Sequence, residues 1–295
     1  MRDSPRPSRT LLIVGAGDIA RRAVPWLQKR FRIHALTRSE QTARRMRALG
    51  VCPVRGDLDD FRSLERLAGL ADVVLHLAPP PATGDTDPRT LRLLTALARG
   101  RFPQRIVYVG TTGVYGDRMG TIVNETAPCL ARHPRARRRR NAEQLLRRFN
   151  LGPSRCVTLL RAGGLYAQDR LPLDRLRRGD PVLAEGDDVL SQFMHADDLA
   201  RLCGIALFLG RSGRLVNAVD DVAIKFGDFF DYAADAAGLP RPPRMSRVQL
   251  EQRLSPQMMY FMTESRRIDN RRMVDELRFR LRYPSVQVAL AKRRG

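Results

Sequence analysis

Cysteine is scarce and scattered in this chain of 295 residues. Cys52, Cys129, Cys156 and Cys203 include no CxxC pair, which argues against a zinc site and offers no disulfide framework; they read as small buried hydrophobes. The four histidines, His34, His76, His133 and His195, are too far apart in sequence for ligand spacing, so no metal is expected. No run of about 18 uncharged apolar residues occurs, and MRDSPRPSRT passes directly into LLIVG without the apolar core of a signal peptide. The expectation is a cytoplasmic protein with no membrane partner. Lysine is nearly missing: Lys29, Lys225 and Lys292 are the lysines among 53 basic residues. The net charge of +22 taken alone points to phosphate-rich partners. The arginines, however, are spread along the whole chain. The densest run, PRARRRRNAE at 134–143, has no interleaved aromatics and no nucleic-acid motif accompanies it, so no specific nucleic-acid partner is expected.

What is present is a globular composition, 43% apolar and 28% charged, in a chain long enough for one large α/β unit or two unequal domains. TLLIV at 10–14 is a short apolar, β-branched run that ends in GAGDIA, after which Ala23, Trp26 and Leu27 continue a helical pattern. Further strands are read at 31–37, in VCPVRGDL, in ADVVLHLAPP, in RIVYVGTT and in RCVTLLRAGG, with helices around 40–49, 60–69, 88–99 and 135–149. Strands alternating with helices of this length imply a Rossmann-type, doubly wound parallel sheet. The alternation weakens beyond residue 165, where Pro172, Gly179, Pro181 and Gly186 interrupt the chain. The expected division is a dinucleotide-binding domain over 1–165, with 190–220 returning to it. A smaller, mainly helical substrate domain takes 166–189 and 221–295.

GAGDIA fits G-x-G-x-x-A: Gly15 permits the tight turn, Gly17 lets the backbone approach a pyrophosphate, and Ala20 lets helix and strand pack closely. Asp18 and Ile19 begin the helix whose N-terminus would face that pyrophosphate. About twenty residues on, where an acidic side chain would bind the 2′-hydroxyl of NAD, the chain reads Thr37-Arg38-Ser39. Arg38 suits the 2′-phosphate of NADP, while Glu40 nearby leaves NAD open.

The ordered series GAGDIA, RGDLDD, LHLAPP, VGTTGVYGD, LRAGGLYA, QFMHADDLA and SRRIDNRRM resembles the extended, epimerase/dehydratase-like branch of the short-chain dehydrogenase/reductases, over nearly the whole chain. The resemblance implies that Asp57 and Leu58 border the adenine and that Leu77, Ala78 and Pro79 pass along the cofactor by their backbone. It also implies a hydroxyl residue after the fifth strand, matched by Thr111, and a Tyr-x-x-x-Lys pair on the next helix, in which the tyrosine is general acid/base and the lysine lowers its pKa. In that frame this chain has Arg135 and Arg139, and an arginine does not give up its proton. Arg139 can still reach a ribose hydroxyl or a phosphate. Tyr115 is the alternative acid, or a packing residue; Thr111 is the active hydroxyl, or a strand-end threonine bonded to backbone. His195, Asp197 and Asp198 read as a base pair or as helix-capping residues, and Arg161 with Arg266–Asn270 as a lining for an anionic substrate or as ordinary surface groups. Arg137, Arg138 and Arg140 are expected in solvent. The resulting expectation is an NADP-preferring oxidoreductase or epimerase acting on a sugar-like or carbonyl small molecule without the usual Tyr/Lys pair. The alternative is an NADPH-binding sensor that performs no chemistry.

Overall fold

A computed structural model describes residues 9–151, 155–254, 259–260 and 262–291; the stretch 1–8 and Lys292 considered above lie outside the described residues. In chain order the elements begin with β1 (Thr10–Val14), α1 (Asp18–Leu27), β2 (Arg32–Thr37), α2 (Glu40–Ala48), β3 (Cys52–Arg55), a 3-10 helix Phe61–Leu67, β4 (Val73–His76), α3 (Pro88–Leu97) and β5 (Arg105–Thr111). There follow β6 (Ile122–Val123), α4 (Pro134–Phe149), β7 (Cys156–Ala162), β8 (Gly164–Tyr166), α5 (Leu173–Arg177), β9 (Val182–Leu183), β10 (Leu190–Ser191), β11 (Phe193–His195), α6 (Ala196–Leu209) and β12 (Leu215–Ala218). The last part holds β13 (Ile224–Lys225), α7 (Phe226–Ala237), β14 (Arg244–Met245), α8 (Arg247–Glu251), β15 (Arg267–Ile268) and short helices at Arg271–Glu276 and Val286–Leu290.

The chain divides into two compact units. The first comprises Met1–Thr111, Pro134–Arg161 and Leu199–Val216, and the second Thr112–His133, Ala162–Asp198 and Asn217–Gly295. The boundaries therefore differ from those read in the sequence: 112–133 joins the second unit, and the returning segment is 199–216.

The first unit is built on a seven-stranded sheet ordered β12-β7-β5-β4-β1-β2-β3. β1 pairs in parallel with β2 on one side and β4 on the other, so the chain first winds outward through β2 and β3 and then resumes on the opposite side of β1. That reversal puts a crevice at the carboxyl ends of β1 and β4, the place where such sheets bind ligands. Leu11–Val14 are fully buried, which is why this strand reads as continuous apolar residues rather than an alternation. α1 covers the sheet with Ala20, Ala23, Val24 and Leu27, spaced to fall on one helical face. Leu64, Leu67, Leu93, Leu97, Tyr108, Ala142 and Leu146 form a separate core cluster with Leu12 and Val14 of β1. Each such leucine removed from water contributes about 1.5–3 kcal/mol. The expected helix at 60–69 is a 3-10 helix, opened by Asp60, whose carboxylate accepts the amide of Arg62.

The second unit combines the expected helices, of which Phe226–Ala237 is the longest among its described residues, with strand pairs that the sequence did not reveal. Among its described residues it pairs β8 with β11, β9 with β14, β6 with β15 and β10 with β13, strands of two or three residues joined across long sequence separations. Pieces this short leave no readable alternation. Its core is aromatic: Phe193 stacks on Phe229 at 4.4 Å, and Tyr166 meets both edge-on.

Candidate functional site

Gly15 has φ +99°, and a Cβ there would stand 2.4 Å from the amide nitrogen of Ala78 and 2.7 Å from the carbonyl carbon of Leu77. Only glycine permits this turn, and the collision shows that the Leu77–Pro79 loop after β4 lies backbone to backbone against the glycine loop. The amide of Leu77 donates to the carbonyl of Val14 at 2.7 Å and fixes that approach. A Cβ on Gly17 would meet nothing within 4 Å. Gly17 is the N-cap of α1 and no side-chain cap bond is made to the first turn, which leaves room for an anion at this helix N-terminus. Asp18, next to Gly17, pairs with Arg22 at 3.0 Å and Arg21 at 3.3 Å. This cradle fits the pyrophosphate of a dinucleotide.

At the end of β2, Thr37 is buried and Arg38 reaches into solvent, while Ser39 caps α2 by accepting the amide of Thr42. A cavity of about 120 Å³ opens here, lined by Thr37, Arg38, Ser39, Glu40, Arg47 and Arg55 among others. Arg55 is the register partner of Thr37 across the β2–β3 ladder. Arg47 projects from α2 and donates to the Glu40 carboxylate at 2.8 Å, and Arg44 lies 3.7 Å from the same carboxylate. The hydrogen bond from Arg47 and its charge hold the Glu40 carboxyl below the usual range. Sequence reading singled out Arg38 and missed Arg47 and Arg55, because their common pocket depends on strand register and helix phase.

Asp57 is a turn residue here: its carboxylate accepts the amide of Asp59 at 3.0 Å, its own amide donates to Ser63 Oγ at 2.8 Å, and Arg38 lies 4.0 Å away. Leu58 is buried beside it.

α4 carries the arginine run. Arg139, which the sequence resemblance aligns with a lysine, donates to Tyr108 Oη at 3.2 Å and to the Val109 carbonyl at 3.0 Å, which ties it to β5 two residues before Thr111. Tyr108 packs on His76 at 5.1 Å, and His76 Nε2 meets Thr90 Oγ1 at 2.9 Å. Burial, reinforced by the charge of Arg139, lowers the His76 pKa to about 3, so the ring is neutral. Arg135, which the same resemblance aligns with the tyrosine, is exposed. The expectation that Arg138 is solvated is corrected: it is buried and donates to the Gly84 carbonyl at 2.6 Å, while Arg137 pairs with Asp85 at 2.8 Å. Arg137 and Arg138 of α4 thus anchor the 80–87 loop. Arg161 is also corrected: it is buried and forms a two-pronged pair with Glu143, at 2.9 and 2.6 Å.

Within the second unit, Tyr115 is fully buried and its hydroxyl donates to Asn217 Oδ1 at 2.7 Å, a packing arrangement rather than an accessible acid. Asp198 is also fully buried and accepts the amides of Arg282 and Tyr283, each at 2.9 Å. His195 stacks on Tyr283 at 3.7 Å and its Nδ1 accepts the amide of Asp197. These residues hold chain segments together. Arg266 pairs with Glu264 at 2.7 Å and Arg267 donates to the Gly120 carbonyl at 2.9 Å, so both serve the same unit.

The fold and the glycine cradle define a dinucleotide-binding protein. A family model described as NAD(P)H-binding matches residues 15–203, and the chain belongs to that family. It is 26% identical over 248 residues, 78% of this chain and 74% of the other, to 4-hydroxy-2-methyl-3-oxo-4-farnesyl-3,4-dihydroquinoline-1-oxide ketoreductase of Stigmatella aurantiaca. The structure of a functionally unknown conserved protein from Silicibacter pomeroyi DSS superposes with a TM-score of 0.77 at 27% identity, covering 96% of this chain and 97% of that one. UDP-glucuronic acid 4-epimerase from Bacillus cereus, solved with UDP-glucuronic acid and NAD, gives 0.75 at 18% identity, covering 95% and 96%. Among the described residues no helix is long and apolar enough to cross a membrane.

Proposed function

We propose that the protein is an NADPH-preferring oxidoreductase that acts on a carbonyl or sugar-like small molecule without a Tyr/Lys proton-transfer pair. The observation that carries the preference for NADPH is the cavity at the end of β2, where Arg38, Arg47 and Arg55 stand with the buried Thr37. Arginine guanidinium groups suit a phosphate dianion by paired, charge-assisted hydrogen bonds. Glu40 is already engaged by Arg47, so it is poorly disposed to accept a ribose hydroxyl. Oxidoreductase chemistry is supported by the Stigmatella aurantiaca relative, which is a ketoreductase.

Gly15, Gly17 and the first turn of α1 would hold the pyrophosphate, and the Leu77–Pro79 backbone would run beside the dinucleotide. The nicotinamide group supplies hydride transfer when bound. Arg139, held on β5, places a permanent positive charge near the end of that strand; it favours an oxyanion there but releases no proton. The proton for a reduced carbonyl therefore comes from elsewhere, with the Thr111 hydroxyl, at the end of β5, as the relay this reading assigns. Calorimetric titration tests cofactor choice: NADPH is expected to bind at least about tenfold tighter than NADH, and Arg38→Ala to erase the difference. Equal affinity in the wild type would overturn it.

A second reading, a sensor that binds NADPH without chemistry, is favoured by one feature. Tyr115 is buried, and the sequence resemblance aligns Arg135 and Arg139 with the acid and the lysine. Steady-state oxidation of NADPH by purified protein over a panel of ketones and nucleotide sugars would remove it.

A further inference from the structure

Arg89, the second residue of α3, binds two separate loops with one guanidinium. Its Nε donates to Asp59 Oδ1 at 2.8 Å and its Nη2 to Asp59 Oδ2 at 2.5 Å, a two-pronged pair with the loop after β3. Its Nη1 is shared between the carbonyls of Pro79 and Pro80, at 3.3 and 3.4 Å, in the loop after β4. Asp59 gains a second cation in Arg92, 3.7 Å away, whose Nη1 also donates to the Leu58 carbonyl at 3.2 Å. The hydrogen bond from Arg89 holds the Asp59 carboxyl below its ordinary range.

The loop after β4 needs such an external donor. Pro79, Pro80 and Pro81 have no N–H, so three consecutive residues cannot tie the loop to a neighbouring strand by backbone donation. Their carbonyls remain available, and Arg89 takes two of them. The donor is itself well placed: Asp87 caps α3 by accepting the amides of Arg89 and Thr90 at 3.1 and 3.2 Å, and the amide of Asp87 donates to Asn141 of α4 at 2.8 Å. The loop's first residues, Leu77 and Ala78, are the ones in backbone contact with Gly15.

We propose that Arg89 is a positioning residue for the adenosine half of the dinucleotide, clamping the Asp57–Asp59 turn and the Leu77–Pro80 loop at the spacing an adenine nucleotide requires. This rests on the cofactor reading above. A salt bridge that merely adds stability would tie any two surface points. This one joins the loops after β3 and β4, the strands on either side of β1 and β2 in the sheet, and it does so through a planar fork that lysine cannot copy.

The test is binding of NADPH and of ADP-ribose to wild-type protein, Arg89→Met, Arg89→Lys, Asp59→Asn and the Arg89→Met/Asp59→Asn double variant, with the melting temperature of each ligand-free protein recorded alongside. Arg89→Met and Asp59→Asn are each expected to weaken both ligands about tenfold, with the double variant no weaker than either single one, since both act on one clamp. Arg89→Lys keeps the charge and is expected to recover less than half of the lost affinity on a logarithmic scale. Hydrogen exchange of the ligand-free protein is expected to quicken at residues 77–78 in Arg89→Met. Unchanged ADP-ribose affinity in Arg89→Met, with the wild type binding normally, overturns the clamp alone, and so does a loss of affinity that merely follows the drop in melting temperature across all variants. A wild-type protein that binds neither NADPH nor NADH removes the cofactor reading and this one with it. Should Arg89→Met fail to fold, Asp59→Asn decides the same question with Arg89 in place.

Discussion

The two units solve the problem of buried backbone in different ways. In the first, strands of four to seven residues lie in register, and ladder hydrogen bonds satisfy most of the buried amides and carbonyls. In the second, strands of two or three residues leave much of that work to side chains. Asp198 binds the amides of residues 282 and 283, and Gln192 bridges the carbonyl of Asp220 and the amide of Ile268. Asn217 joins Tyr115 to the carbonyl of Asp269, while Arg244 gathers Asp188, Asp228 and Asp231. A ladder is written in hydrophobic periodicity and tolerates change at any one side chain. A unit held by single polar residues is specified position by position, and each position matters more than its neighbours.

Among the buried polar groups described in the first unit, the Arg161–Glu143 pair should yield the largest effect. Arg161→Met strands Glu143 in the core and is expected to cost about 3–5 kcal/mol, whereas the Arg161→Met/Glu143→Leu double variant recovers most of it. Urea unfolding measures both; an additive double variant would contradict the account. Next in size, Asp198→Ala removes the buried partner of two part-buried amides and is expected to cost about 2–4 kcal/mol, with Asp198→Asn, which keeps one acceptor oxygen, intermediate. Hydrogen exchange should show the loss at the amides of residues 282 and 283. If a core valine of β1 replaced by alanine opened the second unit as much as Asp198→Ala does, the contrast between the units would fail.

That contrast also explains what the sequence revealed. GAGDIA, the strand–helix alternation and Arg38 were readable because each is a local pattern with a local cause: a turn that needs glycine, a period, a residue at a strand end. The membership of 112–133 in the second unit was not readable, since it depends on β6 pairing with β15 some 140 residues later. Arg138 looked solvated because a charge run gives no phase; its burial follows from the Gly84 carbonyl, which only the folded 80–87 loop presents. Arg47 and Arg55 went unnoticed for the same reason, as did Arg89, whose two partners come from loops separated by a whole strand. HADDLA read either as a general-base pair or as helix-capping residues, because carboxylate and imidazole serve both, and burial turned Asp198 to the service of backbone.

Burial acts with opposite sign on a buried acid of the second unit and a buried base of the first. Burial raises the Asp220 pKa to about 8 in the second unit and lowers that of His76 to about 3 in the first. Asp220 holds its proton in the folded state where the unfolded chain has released it, so its contribution is complete below pH ~4 and is lost as pH rises toward 8. His76 does the reverse: the unfolded ring takes up a proton below pH ~6.5 and the folded one resists until about 3, so stability is lost on acidification across that window. Asp220→Asn is expected to flatten the decline between pH 4 and 8 and to gain about 2–3 kcal/mol at pH 8 relative to the wild type. His76→Gln is expected to flatten the acid side. Stability profiles of the two variants that moved the same limb of the curve would show that these groups do not carry the dependence.

The smallest expected effect lies at the edge of the first unit, where the cofactor reading is most exposed to test. Glu40 and its partners are solvent-accessible, and exposed ion pairs contribute little to stability. Its removal should therefore leave the fold unchanged while freeing Arg47 for another anion. On the proposed reading, Glu40→Gln raises NADPH affinity about two- to fivefold, leaves NADH affinity where it was, and makes NADPH binding more sensitive to salt. An equal gain for both cofactors would mean that the effect is one of general charge. A loss for NADH alone would mean that Glu40 serves the ribose hydroxyl after all, and that the arginines at the end of β2 are not a phosphate site.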